Sequence, residues 1–336
     1  MRGWLFLACF AVSCAPRETL DPPPNEAVLA ATPRTGGGRV VLVTIDGVRW
    51  QDVFFGSEAA WSGTPSIPAS MLVPNLYRWT TTHGLRIGGA PAPCGTVHTA
   101  GKANVSLPGY LEIFTGRPTH CLDNNCARAA FTVLDQAVRS GVPKVASVVS
   151  WQPIERAVTS LRADTPVFVS TGPTSYRADA DTIPVALAYL RDHRPGFLHV
   201  GLGDTDEHGH ADDYPGYLRA LRAADAFVGE VARLLEAEGE LDHTTILVTP
   251  DHGRESGFKE HGALYPESGR TFLFAFGARV ERRGEEQVCP EEDITLLDLA
   301  PTVRVLLGLV PDPSADAGHP IEPIVDGPVP PVELPE

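Results

Sequence analysis

Five short apolar runs recur along the chain without polar residues alternating through them, at 39–45 (RVVLVTI), 145–149, 197–200, 245–249 and 271–276. A β-branched run with no polar side predicts a strand covered on both faces. Between these runs, apolar residues recur three and four apart over 129–140, 184–192, 214–238 and 294–307. That spacing predicts amphipathic helices. Strands that alternate with helices predict an α/β fold, a three-layer sandwich whose mainly parallel sheet carries helices on both faces. In such sheets the polar residues just beyond the carboxyl ends of strands form the site. Asp46 and Asp251 stand at that position, directly after their apolar runs.

Composition narrows this picture. The chain has 336 residues, 43% of them hydrophobic, enough for one large core. Its 32 Gly and 31 Pro follow no fixed period and mark turns. A formal net charge of -15 argues against a nucleic-acid or anionic-membrane binder, which needs a basic face. It leaves room for a small phosphorylated substrate, because bound metal ions reverse the sign locally. At the start, Arg2 precedes an apolar run over 4–12 and then Ser13-Cys14. The run is too short to span a bilayer and reads as an export signal. Ala11-Val12-Ser13-Cys14 resembles a bacterial lipobox, so the expected location is the cell envelope, anchored by lipid on Cys14, or outside the cell. The expected division is signal 1–14, Pro/Gly-rich tether 15–38, one catalytic domain 39–310 and a Pro-rich, loosely ordered tail 311–336. The domain keeps Cys94, Cys121, Cys126 and Cys289. An even number in an exported chain permits disulfides, with Cys121 and Cys126 closing a small loop, but the spacing leaves the pairing open.

Four segments carry candidate chemistry: Thr44-Ile45-Asp46-Gly47; Ser106-Leu107-Pro108-Gly109 with Thr115-Gly116-Arg117; Asp204-Thr205-Asp206-Glu207-His208-Gly209-His210; and Asp251-His252-Gly253 with Glu260-His261-Gly262. Carboxylate and imidazole are ligands that Zn²⁺ accepts. Singly, each segment has a plain explanation, such as a helix cap or a solvated turn. Together, with two at strand ends, they point to a metal centre.

These motifs resemble the alkaline phosphatase superfamily, and within it the nucleotide pyrophosphatase/phosphodiesterase branch. The resemblance runs from about residue 40 to 309 and includes Asp298-Leu299-Ala300-Pro301-Thr302, similar to the closing helix of that fold. It implies two divalent metal ions, zinc by ligand type. One would be held by Asp46, Asp251, His252 and Ser106, the other by Asp206, His210 and His261. It also implies Ser106 as the nucleophile, forming a phosphoseryl intermediate that water hydrolyses, with a substrate-binding Asn beyond the Thr-Gly element. Asn124 is the candidate, and Asn125 stands beside it. Asp204 and His208 repeat the spacing of Asp206 and His210; Gly209 before His210 favours the latter pair. Lys102 and Arg117 are cations that could meet a second substrate charge, although a solvated surface position suits them better. The expected activity is phosphate-ester hydrolysis. A sulfatase is the nearest alternative, but Tyr110 stands where its signature carries Arg. A non-catalytic binding lipoprotein is the reading from a different class.

Overall fold

The computed structural model describes residues 36–160 and 167–325. The signal and lipobox expectations, most of the tether and the last eleven residues of the tail lie outside them. In chain order the strands are β1 (Arg39–Ile45), β2 (Gly84–Ile87), β3 (Val97–His98), β4 (Val145–Val149), β5 (Phe168–Ser170), β6 (Phe197–Leu202), β7 (Thr244–Thr249), β8 (Arg270–Thr271), β9 (Leu273–Gly277) and β10 (Ile294–Thr295). Seven form the main sheet in the order β2-β9-β7-β1-β6-β4-β5, and β10-β3-β8 form a small second sheet. β1 is paired in parallel with β6 on one side and β7 on the other. β9 runs antiparallel to both β7 and β2.

The unbroken apolar character of β1 has the expected cause. Val40 and Leu42 face one core, shared with the helices Ser106–Thr115, Val133–Arg139 and Leu299–Leu306. Val41, Val43 and Ile45 face a second core, shared with Pro74–His83, Asp179–His193 and Tyr214–Ala237. The sheet is therefore the middle of three layers, as the alternation of strands and helices predicts.

Three expectations are revised. The run 271–276 is divided: Thr271 pairs with β3, whereas Leu273–Gly277 pairs with β7 and β2. The helix expected over 294–307 begins as β10, because Ile294 and Thr295 pair with Val97 and His98. A Thr295/Asp298 capping box then starts a 3-10 turn, and Leu299–Leu306 is the helix proper. The tail does not begin at 311, since Ile321, Ile324 and Val325 are buried in the first core. Asp312 also anchors the segment through a 2.7 Å ion pair with Arg117.

His199 on β6 is buried, its Nε2 3.0 Å from Thr44 Oγ1 and its Nδ1 2.8 Å from Ser147 Oγ. Burial pushes it down to about 3. The unfolded chain takes up this proton near pH 6.5, and the folded chain resists until about pH 3. The neutral ring thus favours folding above pH 6.5, and that contribution is lost as pH falls, by up to about 1.4 kcal/mol per unit. In urea titrations, the stability gap between wild type and His199→Gln should narrow from pH 7 to pH 4. A gap that stays constant would show that the ring does not resist protonation.

Candidate metal centre

Because β7, β1 and β6 are neighbours, the residues beyond their carboxyl ends meet. Asp46 follows β1 and continues the ladder, its N–H donating to Leu202 O at 2.9 Å. Asp251 and His252 follow β7, one residue after its end. β6 is followed by Gly203 and the short helix Asp204–His210, which carries Asp206 and His210. Ser106 opens the helix Ser106–Thr115, after Asn104 in a left-handed conformation (φ 47). Gly109 lets this helix approach closely, since a Cβ there would lie 2.3 Å from Asp251 O.

The side chains converge. Ser106 Oγ lies 3.4 Å from Asp46 Oδ1 and 3.3 Å from His252 Nε2. His252 Nε2 is 3.3 Å from Asp46 Oδ1 and 3.7 Å from Asp251 Oδ2. On the other side, His210 Nε2 is 3.1 Å from Asp206 Oδ2 and 3.1 Å from His261 Nε2. The two halves touch where the His252 and His261 rings stack, with centroids 4.0 Å apart. Candidate ligand atoms fall into two groups, Asp206/His210/His261 and Asp46/Asp206/His252, each within 4.8 Å.

Two observations suit a cation here. His252 Nδ1 lies 2.8 Å from Gly253 O, and His261 Nδ1 lies 2.9 Å from Asn104 O. A carbonyl only accepts, so each Nδ1 carries the proton and each Nε2 turns a lone pair toward the cluster. The second is Asp251: its Oδ1 accepts from Gly47 N at 3.2 Å, while its Oδ2 is buried without a hydrogen-bond partner among the described residues. Such an oxygen is costly unless something charged faces it. Burial pushes Asp46 and Asp251 well above the carboxylate range, and neighbouring carboxylates add to the rise. Burial acts upward on Asp206 too, but its hydrogen bond to His210 and the charge of Arg254 hold it well below that range. Burial lowers His261 to about 3, keeping it neutral. A divalent ion among these groups would favour the ionised carboxylates.

The structure separates the two similar pairs. Asp204 Oδ1 accepts from Tyr176 OH at 2.6 Å, and His208 Nδ1 pairs with Asp213 at 3.0 Å, so neither joins the cluster. Asn124 Oδ1 accepts from Leu107 N at 2.8 Å, which places this side chain beside Ser106. Asn125 instead donates its backbone N–H to Asp123. Arg117 is engaged with Asp312 and Ser314, whereas Lys102 is exposed. Disulfides join Cys94 to Cys289 and Cys121 to Cys126. The sequence reading missed Arg254, whose buried guanidinium contacts Asp206. Its available signal was a cation directly after Asp251-His252-Gly253.

Residues 152–265 match the family model described as Metalloenzyme superfamily, a stretch that includes Asp206, His210, Asp251, His252 and His261. The fold is similar to that of a Vibrio parahaemolyticus protein in the alkaline phosphatase superfamily, with a TM-score of 0.55 at 15% identity over 82% of this chain and 67% of that one. Over residues 152–265 the chain is similar to the metalloenzyme superfamily, and its fold is that of alkaline phosphatase-like proteins. A second structure of this shape, solved with its substrate D-glucosamine-2-N,6-O-disulfate, gives a TM-score of 0.61 at 14% identity, covering 87% of this chain and 80% of that one. GPI ethanolamine phosphate transferase 1 of Emericella nidulans is 35% identical over 104 residues, which are 31% of this chain and 11% of that protein. The match thus spans about a tenth of that relative's length. The metalloenzyme match agrees with divalent-metal use, and none of these matches specifies the phosphodiesterase branch.

Adding zinc to the metal-stripped protein should raise Tm, corresponding to about 2.7 kcal/mol at one hundred times Kd. Asp251→Asn should shrink that rise. An undiminished rise in the variant would remove Asp251 from the ion's contacts.

Proposed function

We propose that the protein hydrolyses phosphate esters, monoesters or diesters, with Ser106 as nucleophile beside two divalent ions, zinc by ligand type. Asp46, Asp251, His252 and Ser106 would hold one ion; Asp206, His210 and His261 would hold the other. When bound, the ions would supply charge that stabilises the transferring phosphoryl group and lowers the pKa of the Ser106 hydroxyl. The observation that carries this reading is the position of Ser106 Oγ, within 3.4 Å of Asp46 and 3.3 Å of His252, at the first turn of a helix. A helix start favours an anion placed against it.

Ser106 gives up its hydroxyl proton to solvent as Oγ bonds to phosphorus, and the ester oxygen leaves and takes a proton from solvent. Water then breaks the Oγ–phosphorus bond, one of its protons restoring the Ser106 hydroxyl, and releases phosphate from a monoester or a phosphomonoester from a diester. Asn124 spends its carbonyl on Leu107 N, which leaves its amide N–H groups to donate to a phosphate oxygen. The Cys121–Cys126 disulfide closes the loop that presents it.

Sulfuric-ester hydrolysis is the second reading, favoured by the structural neighbour that binds a disulfated sugar. Against it, Tyr110 is fully buried against Thr44 and offers no cation to the site. The imidazole-rich ligand set also differs from the oxygen set that calcium prefers. Export with a lipid on Cys14 belongs to the same proposal, and two disulfides suit an oxidising compartment. Globomycin should then cause an unprocessed precursor to accumulate in a bacterial host, and unchanged processing would remove the lipid anchor.

Zinc-loaded protein should release p-nitrophenol from bis-(p-nitrophenyl) phosphate or p-nitrophenyl phosphate faster than from p-nitrophenyl sulfate. Preference for the sulfate would reverse the assignment. Ser106→Ala should lower kcat on the order of 10³-fold or more with zinc still bound, whereas Asn124→Ala should mainly raise KM. Retained turnover in Ser106→Ala would exclude it as the nucleophile.

A further inference from the structure

Arg254 belongs to neither ligand group, yet its buried guanidinium joins three segments at the site. Nε donates to Gly47 O at 3.1 Å, just beyond Asp46. Nη2 donates to Asp206 O at 3.0 Å and also contacts Asp206 Oδ1. Nη1 donates to Lys259 O at 2.6 Å, two residues before His261. Gly209 makes the space: a Cβ there would lie 2.1 Å from the guanidinium carbon. Among the described residues, no other Arg or Lys forms an ion pair with Asp46, Asp206 or Asp251.

We propose that Arg254 is a resident counter-ion of the site, offsetting one of the three converging carboxylates when metal is absent and competing with the ion for Asp206. Three carboxylates this close repel one another in a low-dielectric setting, and one fixed cation relieves part of that repulsion. Once divalent ions are present, the same guanidinium is a like charge beside them. Arg254 therefore stabilises the metal-free protein more than the loaded one, and by linkage weakens metal binding. Its planar fork also meets backbone oxygens, so loss of orientation acts in the opposite direction. Charge is expected to win because the contact with Asp206 is direct and buried. The inference rests on Asp206 being a metal ligand, but not on Ser106 or any substrate.

The test is thermal unfolding of the full chain, metal-stripped and zinc-saturated, for wild type, Arg254→Met, Arg254→Lys and Gly209→Ala, with zinc Kd from chelator competition. In Arg254→Met, the stripped protein should lose more Tm than the loaded one. Its zinc-induced rise should then exceed that of wild type by about 3 °C or more, and zinc should bind roughly tenfold tighter, about 1.4 kcal/mol. Gly209→Ala should behave like Arg254→Met, because its Cβ displaces the guanidinium. Arg254→Lys keeps the charge and should restore the wild-type rise. Equal losses in both states would make Arg254 a purely structural residue, and a smaller zinc-induced rise would mean that it orients Asp206; either overturns the proposal. If Arg254→Met does not fold in either state, Gly209→Ala and Arg254→Lys decide. No zinc-induced rise in wild type would instead overturn the metal reading itself.

Discussion

Three carboxylates, Asp46, Asp206 and Asp251, share one end of the sheet because the strands that lead to them, β1, β6 and β7, are immediate neighbours. Their mutual repulsion is the constraint around which the rest of the site is arranged. Nε2 atoms of three imidazoles turn toward the same space, and Asp251 Oδ2 is buried with no hydrogen-bond partner among the described residues. Such a cluster makes physical sense around positive charge, and the protein's own contribution to it is Arg254.

The outer layers serve this convergence. The helix Ser106–Thr115 reaches the sheet because Gly109 permits contact with Asp251, and that approach brings Ser106 within hydrogen-bond distance of Asp46 and His252. Its buried face, Leu107, Tyr110, Leu111 and Phe114, packs into the core beneath β1. Moving that helix outward would both open the core and separate the hydroxyl from the cluster. Asn104 links the layers again, with its left-handed backbone before Ser106 and its carbonyl fixing His261. Packing and chemistry thus depend on the same few contacts.

Proteins similar to this chain include one solved with a disulfated sugar substrate and one named as a phosphate transferase, and a shared fold does not choose between such reactions. The residues that bear on the choice lie in loops and at helix starts: Asn124 beside Leu107, and Tyr110 turned into the core rather than toward the cluster. Both depend on how the Ser106–Thr115 helix is rotated. The neighbouring disulfide loop presents one of them.

The α/β class, the buried β1 and Asp46 and Asp251 at strand ends were legible in the sequence, because a strand covered on both faces must be apolar throughout and its end must turn polar. The grouping of Asp206, His210 and His261 came from resemblance, since the only local signal that favours Asp206 over Asp204 is Gly209 before His210, as in the family's Gly-His ending. Tertiary structure separated them: the Asp204–His210 helix turns Asp204 toward Tyr176 and His208 toward Asp213. β3, β5 and β10 are too short for periodicity to register, and the burial of Ile321 and Ile324 is set by distant partners. Arg254 was hidden for the same reason. Its partners lie 207 and 48 residues away along the chain, and only folding shows that this cation faces inward.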